Sequence, residues 1–244
     1  MKKTASINNI YISIFFKIFY LFINGYSLKL HISLYSIGYN IHMFSYFTVL
    51  SNLLCFIVIA LFLIKCSKHL YLSHKTSTTI DNDLLYTSRY RFLNGMALMS
   101  IILTFLLFHF VIARYKYAIA AKGFLVIPPK DLYAHYLVPF LFTLDWILFT
   151  PKKSYSLTTP LLWLIYPLIY FITIIIRAFF LPKQSMLKLN SFPYFFFNIH
   201  KMGMNRFILV IFLIMFGFII VGYSILFAEK LFFKLFNLRS GRQS

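Results

Sequence analysis

Residues 43–64 read MFSYFTVLSNLLCFIVIALFLI, with no charged side chain anywhere in the run. A helix rises about 1.5 Å per residue, so this stretch is long enough to cross the roughly 30 Å hydrocarbon core of a bilayer. Five more runs of the same kind surround it, at about 9–30, 92–113, 131–149, 159–181 and 207–228. The runs are continuous rather than alternating, which excludes a transmembrane barrel. In hydrocarbon a helix is the remaining way for a single segment to satisfy its own backbone polar groups. The sequence therefore predicts an all-α membrane protein, a six-transmembrane-helix bundle with residues 1–244 as a single transmembrane domain. Short polar connections carry Asn82, Gly123, Pro128-Pro129, Lys152-Lys153 and Pro182, and there is no internal repeat.

Composition leads to the same class. Apolar residues make up 61% of the 244 residues and charged ones 12%, against roughly 45–50% and about 25% in a soluble domain. Too few charged side chains are present to cover that apolar surface in water. Lys and Arg number 24 against five acids, Asp81, Asp83, Asp131, Asp145 and Glu229, for a net charge of +19. Most of the basic residues punctuate the gaps between apolar runs, so membrane lipids with anionic headgroups are the expected partners. No basic motif or stacking platform points to nucleic acid. No cofactor is expected, and none of His31, His42, His69, His74 or His200 falls in a Cys/His/acid cluster with metal-ligand spacing. Cys55 and Cys66 lie in or beside one run, where they cannot clip distant loops together.

Lys2 and Lys3 precede the first run as they would in a signal peptide. The run is too long for that, contains Lys17 and lacks a small-residue cleavage site, so it is read as a retained span. With the N-terminus inside, the inner connections and ends hold thirteen Lys and Arg and the outer connections eight. The positive-inside rule then places both termini in the cytoplasm and segments 31–42, 114–130 and 182–206 outside.

Polar side chains within spans are costly and therefore informative. Thr48, Ser51 and Asn52 stand at i, i+3 and i+4 on one helix face. One reading is structural, with hydroxyls bonded back to carbonyls and Asn52 joining two helices. The other is a catalytic hydroxyl with amide or hydroxyl donors beside it. His135, four residues into the fourth run, lies at the same depth as Thr48. So do His109, four before the end of the third, and Arg177, four before the end of the fifth. A threonine hydroxyl needs a neighbour to take its proton, which assigns Thr48 as nucleophile and His135 as base. Ser51 and Asn52 are then candidate oxyanion donors, and His109 and Arg177 candidate substrate-binding residues. Arg177 either snorkels to lipid phosphates or clamps a substrate carboxylate. Asp145 lies about 15 Å further along the fourth span. It is expected to cap the helix or pair with Lys152 or Lys153, with Trp146 as an interfacial residue. Pro139 and Pro167 are expected to kink their helices.

These residues carry a resemblance. Phe47-Thr48-x-x-Ser51-Asn52, Phe108-His109, His135-x-x-x-Pro139 with Leu144-Asp145-Trp146-x-x-Phe149, Tyr166-Pro167 followed by Arg177, and Phe192-Pro193-Tyr194 resemble a family of uncharacterised bacterial six-span membrane proteins. The similarity covers about residues 43–231, and the Asp-Trp patch behind the histidine is its most specific part. That family is distantly similar to the eukaryotic androgen-induced and androgen-dependent transmembrane threonine hydrolases, which act on fatty acid esters of hydroxy fatty acids. By motif position their threonine is Thr48 and their histidine His135; the Asp-Trp pair and the Phe-His are not shared with them. The resemblance implies a multi-pass protein of the bacterial inner (plasma) membrane and an intramembrane hydrolase of lipid or fatty-acyl esters. The rival expectation is a small transporter, or a lipid- or ligand-binding membrane protein without catalysis.

Overall fold

The computed structural model describes residues 7, 9–32, 43–76, 85–113, 127–152, 155–180, 193–198 and 202–240. Among them there is no strand. Six helical segments are long and apolar enough to cross a membrane: Ile10–His31, Phe47–Leu72, Ser88–Ile112, Pro129–Phe149, Thr159–Ile176 and Met204–Leu235. They lie where the six apolar runs lie. Two helices outrun them: the second continues to Thr76 and the last to Ser240, into what reads in sequence as a basic tail. Helical hydrogen bonding carries on past the apolar stretch because long basic side chains such as Lys230 and Lys234 reach polar surroundings from the helix surface.

The third span sits centrally, packed against the second, fourth and sixth, while the first packs on the second and fourth. Close approach is possible where side chains are small. A Cβ on Gly95 would lie 2.0 Å from the Trp163 ring, so only glycine lets that fully buried indole press on the third span. Large apolar side chains face outward around the bundle, among them Phe15, Phe22, Phe140, Phe212 and Phe227. Such a surface is tolerated in lipid and not in water.

Two prolines beyond the first turn of their spans leave marks. Pro139 has no N–H to give the carbonyl of His135, and the turn before it widens to a π-helix, Tyr133–Leu137, between helices Pro129–Leu132 and Val138–Phe149. Pro167 cannot bond to the Trp163 carbonyl, and the fifth span breaks there into Thr159–Leu162 and Ile165–Phe180. The third span ends in a second π-turn, Phe108–Ile112.

The expected partner of Asp145 needs correction. Its Oδ1 receives the Lys17 ammonium at 2.6 Å, and both side chains are at most 1% exposed. Lys17 also donates to Ser13 Oγ at 3.1 Å and lies 4.7 Å from the Phe62 ring and 5.0 Å from that of Phe149. Two charges in hydrocarbon cost least when they neutralise each other, and Lys17 enters from the first span at a depth that meets Asp145. Lys152 instead donates to the Trp146 carbonyl and sits 3.9 Å over the Trp146 ring. Burial pushes its ammonium down to about 7, against the opposing pull of Glu229 and Asp145. Glu229, also buried, accepts the Tyr155 N–H at 3.2 Å.

Candidate functional site

At the other end of the bundle a cavity of about 300 Å³ opens among the first four spans and the segment before the sixth. Its polar lining is His31, Tyr46, Thr48, Lys130, Asp131, His135 and Tyr194; Met43, Val49, Phe108, Ile112 and Pro193 supply apolar wall. Thr48 and His135, from different helices, thus face one space.

Thr48 is the second residue of the helix Phe47–Thr76. Its N–H is one of the donors that a helix N-terminus leaves without an intrahelical acceptor. That N–H donates to Tyr194 Oη at 3.4 Å, and Thr48 Oγ1 lies 3.4 Å from the same oxygen. Both contacts are long for hydrogen bonds. Tyr194 is held by a parallel stack on Phe196 at 5.0 Å and an edge contact with Tyr46 at 5.6 Å. Burial lifts its hydroxyl to about 12, although the Thr48 contacts pull the other way. At neutral pH it is a proton donor.

His135 sits on the π-turn created ahead of Pro139 and is 5% exposed. Phe108, on the facing π-turn of the third span, lies flat against it, with ring centroids 3.7 Å apart and planes 8° from parallel. The stack fixes the imidazole plane. π-Turns recur where a helix must redirect one functional side chain. His31 closes the cavity from the end of the first span. Its Nδ1 lies 3.0 Å from the Ser27 carbonyl, so in the neutral ring Nδ1 carries the proton and Nε2 is the acceptor.

The other sequence-derived site residues fare differently. Ser51 Oγ donates to the Thr48 carbonyl at 3.0 Å and touches Thr104 Oγ1 at 2.9 Å. Asn52 Nδ2 donates to the Thr48 carbonyl at 2.7 Å and to the Ala134 carbonyl at 3.2 Å. Both amide hydrogens of Asn52 are thereby occupied, and its remaining Oδ1 only accepts. Neither residue lines the cavity. They join the second span to the third and fourth, and Asn24 Nδ2 adds the first by donating to the Asn52 carbonyl at 2.9 Å. His109 shares the depth of His135 but not its direction. It is exposed on the outer face, in contact with Tyr136 Oη at 3.1 Å and stacked on Phe105. Arg177 lies in the helix Ile165–Phe180, at i+7 from Tyr170 and i+3 from Ile174; its side chain falls outside the described residues.

Sequence reasoning missed His31, Lys130, Asp131 and Tyr194 as cavity residues. The depth argument that selected Thr48 and His135 extends to the first three, which stand at span ends on the same level. Tyr194 lies in a connection, where depth has no meaning.

Six apolar helices around a buried ion pair at one end and a polar cavity at the other define a multi-pass helical membrane protein. Compared with protein families, with curated proteins and with solved structures, the chain shows no match.

Proposed function

We propose that the chain is an intramembrane hydrolase of lipid or fatty-acyl esters in a bacterial plasma membrane, with both termini cytoplasmic. The observation that carries this reading is the meeting of Thr48, His135 and Tyr194 around one cavity. Thr48 Oγ1 bonds to the ester carbonyl carbon while its proton passes to His135. The Tyr194 hydroxyl, 3.4 Å from Thr48 Oγ1, would turn its proton to the oxyanion. Collapse of the intermediate breaks the bond to the alcohol, which leaves with the proton from His135. Water, deprotonated by His135, then cleaves the acyl-threonine to acid and restores the hydroxyl. Asp131 and Lys130, which line the same cavity, would give the departing alcohol polar surroundings. Arg177, in the helix Ile165–Phe180, would bind a substrate carboxylate.

The direct test is labelling of the purified protein by a fluorophosphonate hydrolase probe. Labelling of wild type and not of Thr48→Ala is the expected result. Equal labelling of both, or of neither, leaves the rival reading of a ligand-binding membrane protein in its place.

A further inference from the structure

A larger space lies on the outside of the bundle, where the third and fourth spans part along a groove of about 630 Å³. Ile102 and Phe105 line it from the third span, and Leu132, Tyr136, Phe140 and Thr143 from the fourth. Among the described residues, none lines both this groove and the cavity that holds Thr48 and His135. Leu132 and Phe140 are exposed, so the groove opens toward lipid. The Thr143 hydroxyl donates to the Pro139 carbonyl at 2.8 Å, which leaves the described wall beyond Tyr136 apolar.

A polar pair stands at the outer end of this groove. His109 Nδ1 lies 3.1 Å from Tyr136 Oη, and the His109 ring stacks on Phe105 with centroids 5.7 Å apart. Tyr136 and Phe105 both line the groove, so the exposed imidazole sits against its rim. His109 precedes the end of its span at Ile112 by three residues, which puts it about 5 Å inside the hydrocarbon boundary. An imidazole N–H left without an acceptor is costly there. The Tyr136 proton needs an acceptor as well, and Nδ1 supplies it. The neutral His109 ring then carries its own proton on Nε2, where it is a donor for a ligand.

We infer that the groove and this pair form a binding site for one ester-linked membrane phospholipid. One acyl chain lies in the groove, and its ester carbonyl accepts from His109 Nε2. Length supports that occupant. From Leu132 to Thr143 the fourth span rises about 16 Å, half of the roughly 30 Å hydrocarbon core and so the depth of one leaflet. The order of the chemistry supports it too. A phospholipid presents its ester at the interface and its tail toward the midplane, and the groove offers a donor at the first level and apolar wall along the second. The site is separate from the chemistry at Thr48 and does not rest on the hydrolase reading.

The test is photo-crosslinking of the full-length protein in vesicles of phosphatidylethanolamine and phosphatidylglycerol. The probe is a phosphatidylethanolamine with a diazirine midway along one ester-linked acyl chain. Peptide mapping is expected to find adducts concentrated on residues 132–143, well above those on 208–216 of the last span, where Ile208, Phe212 and Phe216 are just as exposed to lipid. His109→Phe keeps a ring and removes the donor, and should cut the adducts on 132–143 about fivefold, the effect of losing one hydrogen bond. His109→Gln keeps a donor and should restore most of them. An ether-linked probe of the same length, which lacks the ester carbonyl, should show the same fivefold loss on wild type and needs no variant to fold. Adducts spread evenly over 132–143 and 208–216 are ordinary lipid contact and overturn the site. Adducts in the groove that are indifferent both to His109→Phe and to the ether linkage overturn the ester contact, and with it the site as inferred.

Discussion

Tyr194 places its hydroxyl 3.4 Å from both the amide nitrogen and the Oγ1 of Thr48. A tyrosine from the connection before the last span thus meets the first turn of the second. If that hydroxyl receives the oxyanion, Tyr194→Phe removes one donor and keeps the ring stack on Phe196. Loss of one such donor costs about a hundredfold in kcat elsewhere. The expected outcome is a fall of that order in kcat, little change in KM, and a thermal midpoint within a few degrees of wild type. Steady-state kinetics on an activated ester, with a melting curve beside it, checks all three.

The Lys17–Asp145 pair makes a stability prediction that does not depend on any activity. Removing one partner strands a charge in hydrocarbon, which costs about 3–5 kcal/mol in buried pairs. Lys17→Met and Asp145→Leu alone should each strongly lower the yield of folded protein and its thermal midpoint. The double substitution should recover most of the loss, because it leaves no uncompensated charge. Additive losses in the double variant would show that the pair is not coupled.

Lys152 carries the pH dependence. Its folded-state value is depressed to about 7 by burial, while the unfolded chain keeps the ordinary lysine value of 10.5. Between these limits the unfolded state binds more protons, so stability rises with pH across that window, by about 1.4 kcal/mol per unit at most. Below pH 7 both states are protonated and the full cost of the buried ammonium remains. Melting curves between pH 6 and 9 should therefore shift upward in wild type, and Lys152→Met should flatten the rise.

The charge count makes a topological prediction. Cys55 and Cys66 are both buried in the bundle, so new surface cysteines can be read over a low background without replacing them. An impermeant maleimide on intact cells should label Lys122→Cys and spare Lys75→Cys. The opposite pattern would invert the molecule.

How far the sequence reaches can be judged from particular residues. The six spans were legible because run length and apolarity are local properties that hydrocarbon enforces. Thr48 and His135 could be selected by depth, since rise per residue is fixed. Direction around the helix axis is not fixed in the same way where π-turns intervene. Phe108–Ile112 and Tyr133–Leu137 each change the turn locally, and His109 and His135, equal in depth, face opposite sides. The Lys17–Asp145 pair was within reach of the depth rule, for both lie toward the same end of the bundle. Ser51 and Asn52 share a face with Thr48, but i+3 and i+4 spacing does not distinguish a cavity wall from a helix seam. Tyr194 was beyond the sequence, because its position depends on how a connection folds back over the bundle.

The proposal that Thr48 and His135 act as one unit is tested most directly by turnover of a p-nitrophenyl ester by wild type, Thr48→Ala, His135→Ala and the double variant, each confirmed as folded. Residues that serve a single step are strongly non-additive. Each single substitution should abolish turnover, and the double variant should lose little more than either. Independent, multiplying losses, or turnover that survives without the Thr48 hydroxyl, would contradict the account.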